Sequence, residues 1–431
     1  MPARKKLLVI DVAALGWDLV SKNPHPSLTF NQADTVFPAV TCVAQASFRT
    51  AAAPSEHGLV SNGLFFPELK KVLFWEQSSS LVAGPRIWDR LRANGRRVGM
   101  MFWQQSLGED VDLVLSPRPI HKHEGGMIQD CYSQPAPLYD RLCEAVGRPF
   151  NLMHYWGPLA SRKSSDWITD ATCAVIQNSS LAPDLLFSYL PHLDYDLQRH
   201  GPDGKPAHRA REALYAMLTR LVETAENSGY DWMIYGDYAI GPVTLPPVLP
   251  NLALREAGLF LHRSIRGMLY PDFFSSPAFA VVDHEVAHVY VKDPGSLRRV
   301  REVLGSLQGV DRVLDSASKR EFGIDHPRSG DLVLIAKPGA WFAYPWWTNR
   351  KEAPDFASHV DIHNKPGYDP CELFFGWPPM SVGTNPARIK GSHGRAGQPV
   401  AWASSLQFDF KPGSLLDLSR AVRDWCERPT E

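Results

Sequence analysis

The sequence has no apolar stretch approaching the ~18–20 residues that a membrane span requires, so no membrane partner is expected of this 431-residue chain. It has no Cys-x-x-Cys pair, and its six cysteines (42, 131, 143, 173, 371 and 426) are scattered without metal-ligand spacing. That argues against a zinc module and fits reduced thiols in a cytoplasmic protein. Charge excess is missing too: 45 Lys and Arg stand against 46 Asp and Glu, which gives no ground for a polyanion-binding surface or a nucleic-acid polymer as partner. Internal repeats and low-complexity segments are absent. The start, MPARKKLLVIDVAALG, opens like a signal peptide, but Asp11 interrupts the apolar run after four residues and no cleavage pattern follows. The same stretch lacks the GxGxxG turn of a dinucleotide-binding fold. What is present in quantity is aromatic: 11% of residues, with 13 Trp, which suits a folded enzyme and not a disordered scaffold.

Three apolar runs read as buried parallel strands that deliver a carboxylate to the carboxyl edge of an open sheet, where ligands bind. They are Lys6 to Val12, carrying Asp11; Asp184 to Leu190, leading into His192 and Asp194; and Asp231 to Tyr235, leading into Asp237. Ala207 to Glu226 places Leu214, Leu218, Leu221 and Val222 on one helical face, the crossover such a sheet needs. Arg97 to Trp103 is a further strand. From about Thr244 to Lys390 the texture changes. Ala278 to Val291 is strand-like, Gly295 to Leu307 helical, and Val310 to Leu314 and Leu332 to Ile335 are strands. The expected fold is α/β: a mostly parallel central sheet sandwiched by helices, formed by residues 1–243 and 391–431, with a smaller α+β cap inserted at 244–390. Trp346 and Trp347 either pack this cap against the core or wall a substrate.

The stretch FPAVTCVAQASFRTAAAPSEHGLVSNGLFF (residues 37–66) carries many small residues and no steady apolar period. It reads as a turn that sets the Thr41 hydroxyl at the start of a helix running on through Cys42 to Phe48. There the positive end of the helix dipole and unpaired N–H groups favour a phosphate. The plainer reading is a threonine cap followed by a polar loop. Three acidic strand ends, with His393 in the late glycine-rich GSHGR turn, favour a metal cluster at the sheet edge instead.

With these residues the sequence resembles the alkaline phosphatase superfamily, in particular its nucleotide pyrophosphatase/phosphodiesterase and phosphonoacetate hydrolase branches. PAVTCVAQASFRTAAAPSEHGLVSNG is similar to the phosphonoacetate hydrolase segment around its nucleophilic threonine. DYDLQRHGP, GDYAIG and GSHGR resemble the later metal-ligand segments. The resemblance implies Thr41 as nucleophile, Asn62 as a holder of phosphoryl oxygens, and Asp11, Thr41, Asp194, Asp237 and His393 as ligands of two divalent metal ions, Mn, Zn or Mg. Two positions depart from the pattern, because Gln198 and Tyr238 stand where the family has histidines. Each expected metal site therefore loses one imidazole, which shifts preference toward Mn²⁺ or Mg²⁺. His200, with Asp196 and His192 nearby, and Asp361 with His363 on one face of an extended segment, are candidate replacements. Asp283, His284 and His288 read as cap structure, since neighbouring strand residues point to opposite faces.

The implied activity is hydrolysis of a small-molecule phosphate ester, of phosphodiester or nucleotide type, through a covalent phospho-threonine. A phosphonate (C–P) hydrolase is the alternative within the enzyme class, and a non-catalytic phosphoester-binding protein with degraded metal sites is the alternative outside it. Lys365, Lys390 and Arg395 are candidates for reading the rest of the substrate. Oligomeric state is open.

Overall fold

A computed structural model describes residues 5–361, 364–367, 373–377 and 381–428. An eight-stranded sheet runs in the order Asn31–Ala33, Val400–Ser404, Tyr230–Gly236, Lys6–Val12, Leu185–Leu190, Val98–Met101, Leu113–Pro117 and Cys131–Gln134. The five strands from Tyr230–Gly236 to Leu113–Pro117 are parallel, and the flanking ones pair antiparallel. This is the mostly parallel α/β sheet expected from the sequence.

The first strand reads as an unbroken apolar run because both of its faces are covered. Leu8, Ile10 and Val12 pack into a core with Ile168 and Leu214, from the helices Lys163–Gln177 and Lys205–Asn227. Leu7 and Val9 pack on the other side with Val43 and Phe48 of the helix Thr41–Thr50 and with Leu418 of the helix Leu415–Glu427. Side chains alternate along a strand, so Asp11 shares the face of Leu7 and Val9 and meets the Thr41 helix. Gly236, the last residue of the neighbouring strand, has no room for a side chain: a Cβ there would come within 2.3 Å of the Leu15 carbonyl oxygen. That close approach keeps the 13–16 loop over the strand end.

A four-stranded antiparallel sheet lies within residues 278–336, in the order Ala278–Asp283, Val286–Val291, Leu332–Ala336, Val310–Leu314. Ala278 to Val291 is a tight hairpin and not one strand. His284 sits in its turn with φ of 60°, in the left-handed region, so side-chain alternation stops at Asp283. Trp346 and Trp347 belong to the packed core of this part, and Trp346 Nε1 donates to the Leu269 carbonyl. Both pack within this part of the structure. The five described cysteines are free thiols. Among the described residues no helix is long and apolar enough to cross a membrane.

All ten residues of the Thr41 helix are buried, including Arg49. Its guanidinium donates to the carbonyls of Gln104 and Gln105 and pairs with Glu109 at 3.3 Å, and Glu109 also takes Arg86 at 3.1 Å. Burial draws the Arg49 guanidinium down to about 10 even so. Removing one partner of a buried ion pair leaves the other charge uncompensated. Glu109→Ala is therefore expected to lower unfolding stability by about 3–5 kcal/mol in urea titration, with a smaller loss when Arg49→Met is added to it.

Candidate active site

Thr41 is the first residue of its helix, after an extended Val40 that contributes no side-chain cap. The opening N–H groups of a helix have no intrahelical acceptor. That of Cys42 donates to Asn62 Oδ1 at 3.0 Å, which ties the residue 21 positions on to the helix start. The Thr41 hydroxyl lies 3.4 Å from Tyr189 Oη.

Beneath Thr41 are Asp11 and Asp237, both wholly buried. Gln45, one turn along the same helix, donates to Asp11 Oδ2 at 2.7 Å, and its carbonyl oxygen accepts the Gln104 N–H at 2.7 Å. One side chain thus fixes both the aspartate and the loop that carries the Arg49 acceptors. Asp237 Oδ1 accepts from the backbone of Ala14 at 3.3 Å and of Tyr238 at 2.9 Å. Asp11 Oδ1 and Asp237 Oδ2 have no hydrogen-bond partner. Burial pushes both carboxyls well above the ordinary range, and for Asp237 the neighbouring Asp11 and Asp194 push further, while the nearby Thr41 hydroxyl draws it down.

Asp194 is not at a strand end as expected. It lies in the first turn of the helix His192–His200, four residues before Gln198, so the two share a helix face. Gln198 Nε2 donates to both Asp194 oxygens, at 2.7 Å each, and Tyr238 Oη donates to Asp194 Oδ1 at 2.9 Å. His393 is held by Nδ1 donating to the Ala39 carbonyl at 2.8 Å, and its Nε2 is 3.9 Å from Asp194. The Tyr238 ring stacks on His393 at 3.6 Å, within 6° of parallel, and His284 stands 3.9 Å from the same imidazole. Burial, and then His284, lowers the His393 pKa well below the ordinary value.

A cleft of about 60 Å³ opens over this group, lined by Thr41, Asn62, Asp194, Gln198, Tyr238, His284 and His393, with Trp75, Tyr155, Trp156 and Tyr195 among its aromatic walls. Asn62, Thr41, Asp11, Asp194, Asp237 and His393 are thus brought together. The candidate replacement ligands are not. His192 is buried against the Ala210 carbonyl, His200 is half-exposed beside Asp196, and Asp361 accepts both nitrogens of Asn364 in a local turn. His363 lies outside the described residues. Lys365 is buried and donates to the His359 carbonyl, and Lys390 lines a separate cleft with Arg199 and Arg388. Among the described residues no Lys or Arg, Arg395 included, lines the cleft over Thr41.

Sequence reasoning assigned Asp283 and His284 to the cap alone. The left-handed His284 turn brings both to the site. Asp283 accepts from Ser61 Oγ at 2.7 Å, from the Asn62 backbone at 2.8 Å and from His284 Nδ1 at 2.7 Å. Hydrogen bonds and the His284 charge outweigh its burial, which by itself raises the pKa, and bring it to about 2. Gln45 was missed as well. Its spacing of four residues from Thr41 was the one signal that could have placed it on the same side of the helix. His288 stays structural, with Nε2 donating to the Val60 carbonyl.

The donor set was tested against the expected metals. Around Asp11, Asp237 and Thr41, two orphaned carboxylate oxygens and a hydroxyl fit a hard divalent cation. Around Asp194 and His393 the fit fails, because the carboxylate oxygens already accept from an amide and a phenol. Among the described residues no three His, Cys, Asp or Glu side chains group in a metal-holding way.

The raised carboxyls carry a linkage consequence. A carboxyl whose folded pKa lies above the ordinary 3.8 contributes stability below that value and loses it as pH rises through the folded pKa. In chelator-treated protein the melting temperature of Asp237→Asn is therefore expected to gain on wild type as pH rises from about 4 toward neutrality. Adding Mn²⁺ should reverse the order, as scanning calorimetry can show.

The sequence matches the family described as type I phosphodiesterase / nucleotide pyrophosphatase over residues 7–369. No curated protein matches it in sequence. Among solved structures, phosphonoacetate hydrolase from Sinorhizobium meliloti is similar at a TM-score of 0.64 and 14% identity, over 99% of this chain and 96% of that one. Murine ectonucleotide pyrophosphatase/phosphodiesterase 5 is similar at 0.58 and 16% identity, with the same coverage. The human form gives 0.56 and 16%, again over 99% and 96%. With the fold in place and the match spanning most of its length, the chain belongs to the type I phosphodiesterase/nucleotide pyrophosphatase family, phosphoric ester hydrolases of the alkaline phosphatase superfamily.

Proposed function

We propose that the protein hydrolyses a phosphodiester or nucleotide-type phosphate ester with Thr41 as its nucleophile. The observation that carries this reading is the placing of the Thr41 hydroxyl at a helix start, directly over two buried carboxylates with unpartnered oxygens. Asp11, Asp237 and Thr41 Oγ1 would hold a divalent cation (Mn²⁺, Zn²⁺ or Mg²⁺). Bound there, it supplies the positive charge that favours the threonine alkoxide and offsets the charge of the phosphoryl group.

Thr41 Oγ1 attacks phosphorus, the ester oxygen leaves opposite it, and the phospho-threonine is then cleaved by water. The helix start carries the positive end of the helix dipole, which favours the phosphoryl oxygens, while its Cys42 N–H is given to Asn62. Asn62 is fixed between Cys42 and Asp283, so it offers an oriented amide at no reorganisation cost when charge develops. Gln45 holds Asp11 in place from the same helix, so nucleophile and carboxylate move as a unit.

The small volume leaves the bulk of an ester outside, and the cleft it would enter is walled by Trp75, Tyr155 and Trp156. Flat aromatic walls suit a stacked base or similar group, and a second murine ectonucleotide pyrophosphatase/phosphodiesterase 5 structure, an inactive variant similar at a TM-score of 0.58 and 16% identity, is in complex with AMP. A phosphonate with a carboxylate arm would need a cationic partner, and the lining residues supply none, which favours the ester over the C–P substrate. Degraded binding without catalysis is the remaining reading, and activity decides it.

With bis(p-nitrophenyl) phosphate and p-nitrophenyl-TMP as substrates, chelation is expected to abolish turnover and Mn²⁺, Zn²⁺ or Mg²⁺ to restore it. Thr41→Ala should lower kcat at least about 10³-fold, the scale of losing a nucleophile. Full metal-dependent activity in Thr41→Ala would overturn the assignment.

A further inference from the structure

We infer that this enzyme works with a single divalent cation, and that the Gln198–Asp194–Tyr238 array permanently closes the position where a second would bind. The inference rests on the cation site proposed above and goes beyond it.

The two departures from the family pattern are not independent losses, since both residues converge on one carboxylate. Gln198 reaches Asp194 because the two are a helical turn apart, and its amide nitrogen bridges both oxygens at 2.7 Å. Turning the amide over would set its carbonyl oxygen against two carboxylate oxygens, so the donor orientation is dictated by electrostatics. Tyr238 comes from the other side, immediately after Asp237, and its hydroxyl adds a further donor at 2.9 Å. A buried carboxylate is costly unless hydrogen-bonded, and here neutral donors meet that need. A cation at Asp194 would have to displace them all, leaving the buried amide and phenol unsatisfied.

The imidazole beside Asp194 does not rescue the site. His393 gives its Nδ1 proton to Ala39 and keeps Nε2 3.9 Å from Asp194. Tyr238 stacks on it at 3.6 Å and His284 stands 3.9 Å away, tilted by 33°. Two rings that close to one imidazole must occupy its opposite faces. Metal ligation uses lone pairs in the ring plane, and a ring that lies over the face of His393, tilted by 33°, does not share that plane. His284 Nδ1 is also already bound to Asp283, so that nitrogen is not open to an ion shared with His393. Replacing imidazoles by Gln198 and Tyr238 has thus exchanged a cation for two neutral hydrogen-bond donors. The Asp11–Asp237 position differs because its unpartnered oxygens are carboxylate oxygens, whereas beside Asp194 the unpartnered oxygen is the neutral amide Oε1 of Gln198.

The test is metal stoichiometry on the purified full chain, chelated, reloaded with Mn²⁺ and desalted, read by elemental analysis and by EPR. The expected result is about one Mn²⁺ per chain with the spectrum of an isolated ion. Asp194→Asn should keep that ion and Asp237→Asn should lose it. The double substitution Gln198→His with Tyr238→His should take up a second Mn²⁺ and show exchange between the two ions. Two ions in wild type, exchange in its spectrum, or loss of the ion in Asp194→Asn would overturn the inference while leaving the Thr41 assignment standing. No bound Mn²⁺ in wild type would instead overturn the cation site itself. The wild-type stoichiometry needs no variant, so a misfolded double variant leaves the inference open to refutation.

Discussion

Two carboxylates, Asp11 and Asp237, are buried on adjoining strand ends beneath the start of one helix, and their mutual repulsion is the constraint that much of the surrounding structure answers to. An uncompensated buried charge is expensive, so each oxygen must be hydrogen-bonded, protonated or paired with a cation. Gln45 and the backbone of Ala14 and Tyr238 satisfy one oxygen of each carboxylate. The remaining two have no hydrogen-bond partner. That imbalance, more than any motif, marks this place for chemistry: the energy withheld from folding is available to a bound ion.

Rigidity of the helix follows from the same arrangement. Arg49 is locked at its far end by Glu109 and two loop carbonyls, Phe48 stacks on Tyr235 at 4.4 Å, and Gln45 ties its middle to the sheet and to Gln104. The Thr41 hydroxyl, on a helix held at three levels, is thus positioned by packing and not by a mobile loop. The second sheet contributes from above. Its hairpin turn sends Asp283 to Asn62 and His284 to His393, and Glu285 N–H donates to the His393 carbonyl. Residues far apart in the chain thus share one wall of the cleft.

The neighbouring carboxylate, Asp194, has met the same electrostatic problem differently. Where Asp11 and Asp237 keep lone pairs open, Asp194 is surrounded by Gln198 and Tyr238 and its charge is spread over hydrogen bonds. Side by side, then, one carboxylate pair keeps unpartnered oxygens and one carboxylate is satisfied by the protein. The ring layer of Tyr238, His393 and His284 holds that second region in place.

Much of this was legible in the linear sequence. Apolar runs long enough to be strands but too short for helices, each followed by an acidic residue, gave a parallel α/β sheet with ligands at its carboxyl edge, because a sheet covered on both faces demands continuous apolar strands. The spacing around Thr41 gave a hydroxyl at a helix start. What the sequence could not determine was which side chains meet. Asp194 and Gln198 became partners through a helical turn where a strand end was expected. Asp283 and His284 reached the cleft only because one left-handed residue breaks strand alternation. His200 and Asp361, equally good candidates by residue type, are turned away by the packing of the elements that carry them. Whether a carboxylate is open or satisfied depends on donors from distant segments, and that was decided only when tertiary packing brought Gln45, Gln198 and Tyr238 to their oxygens.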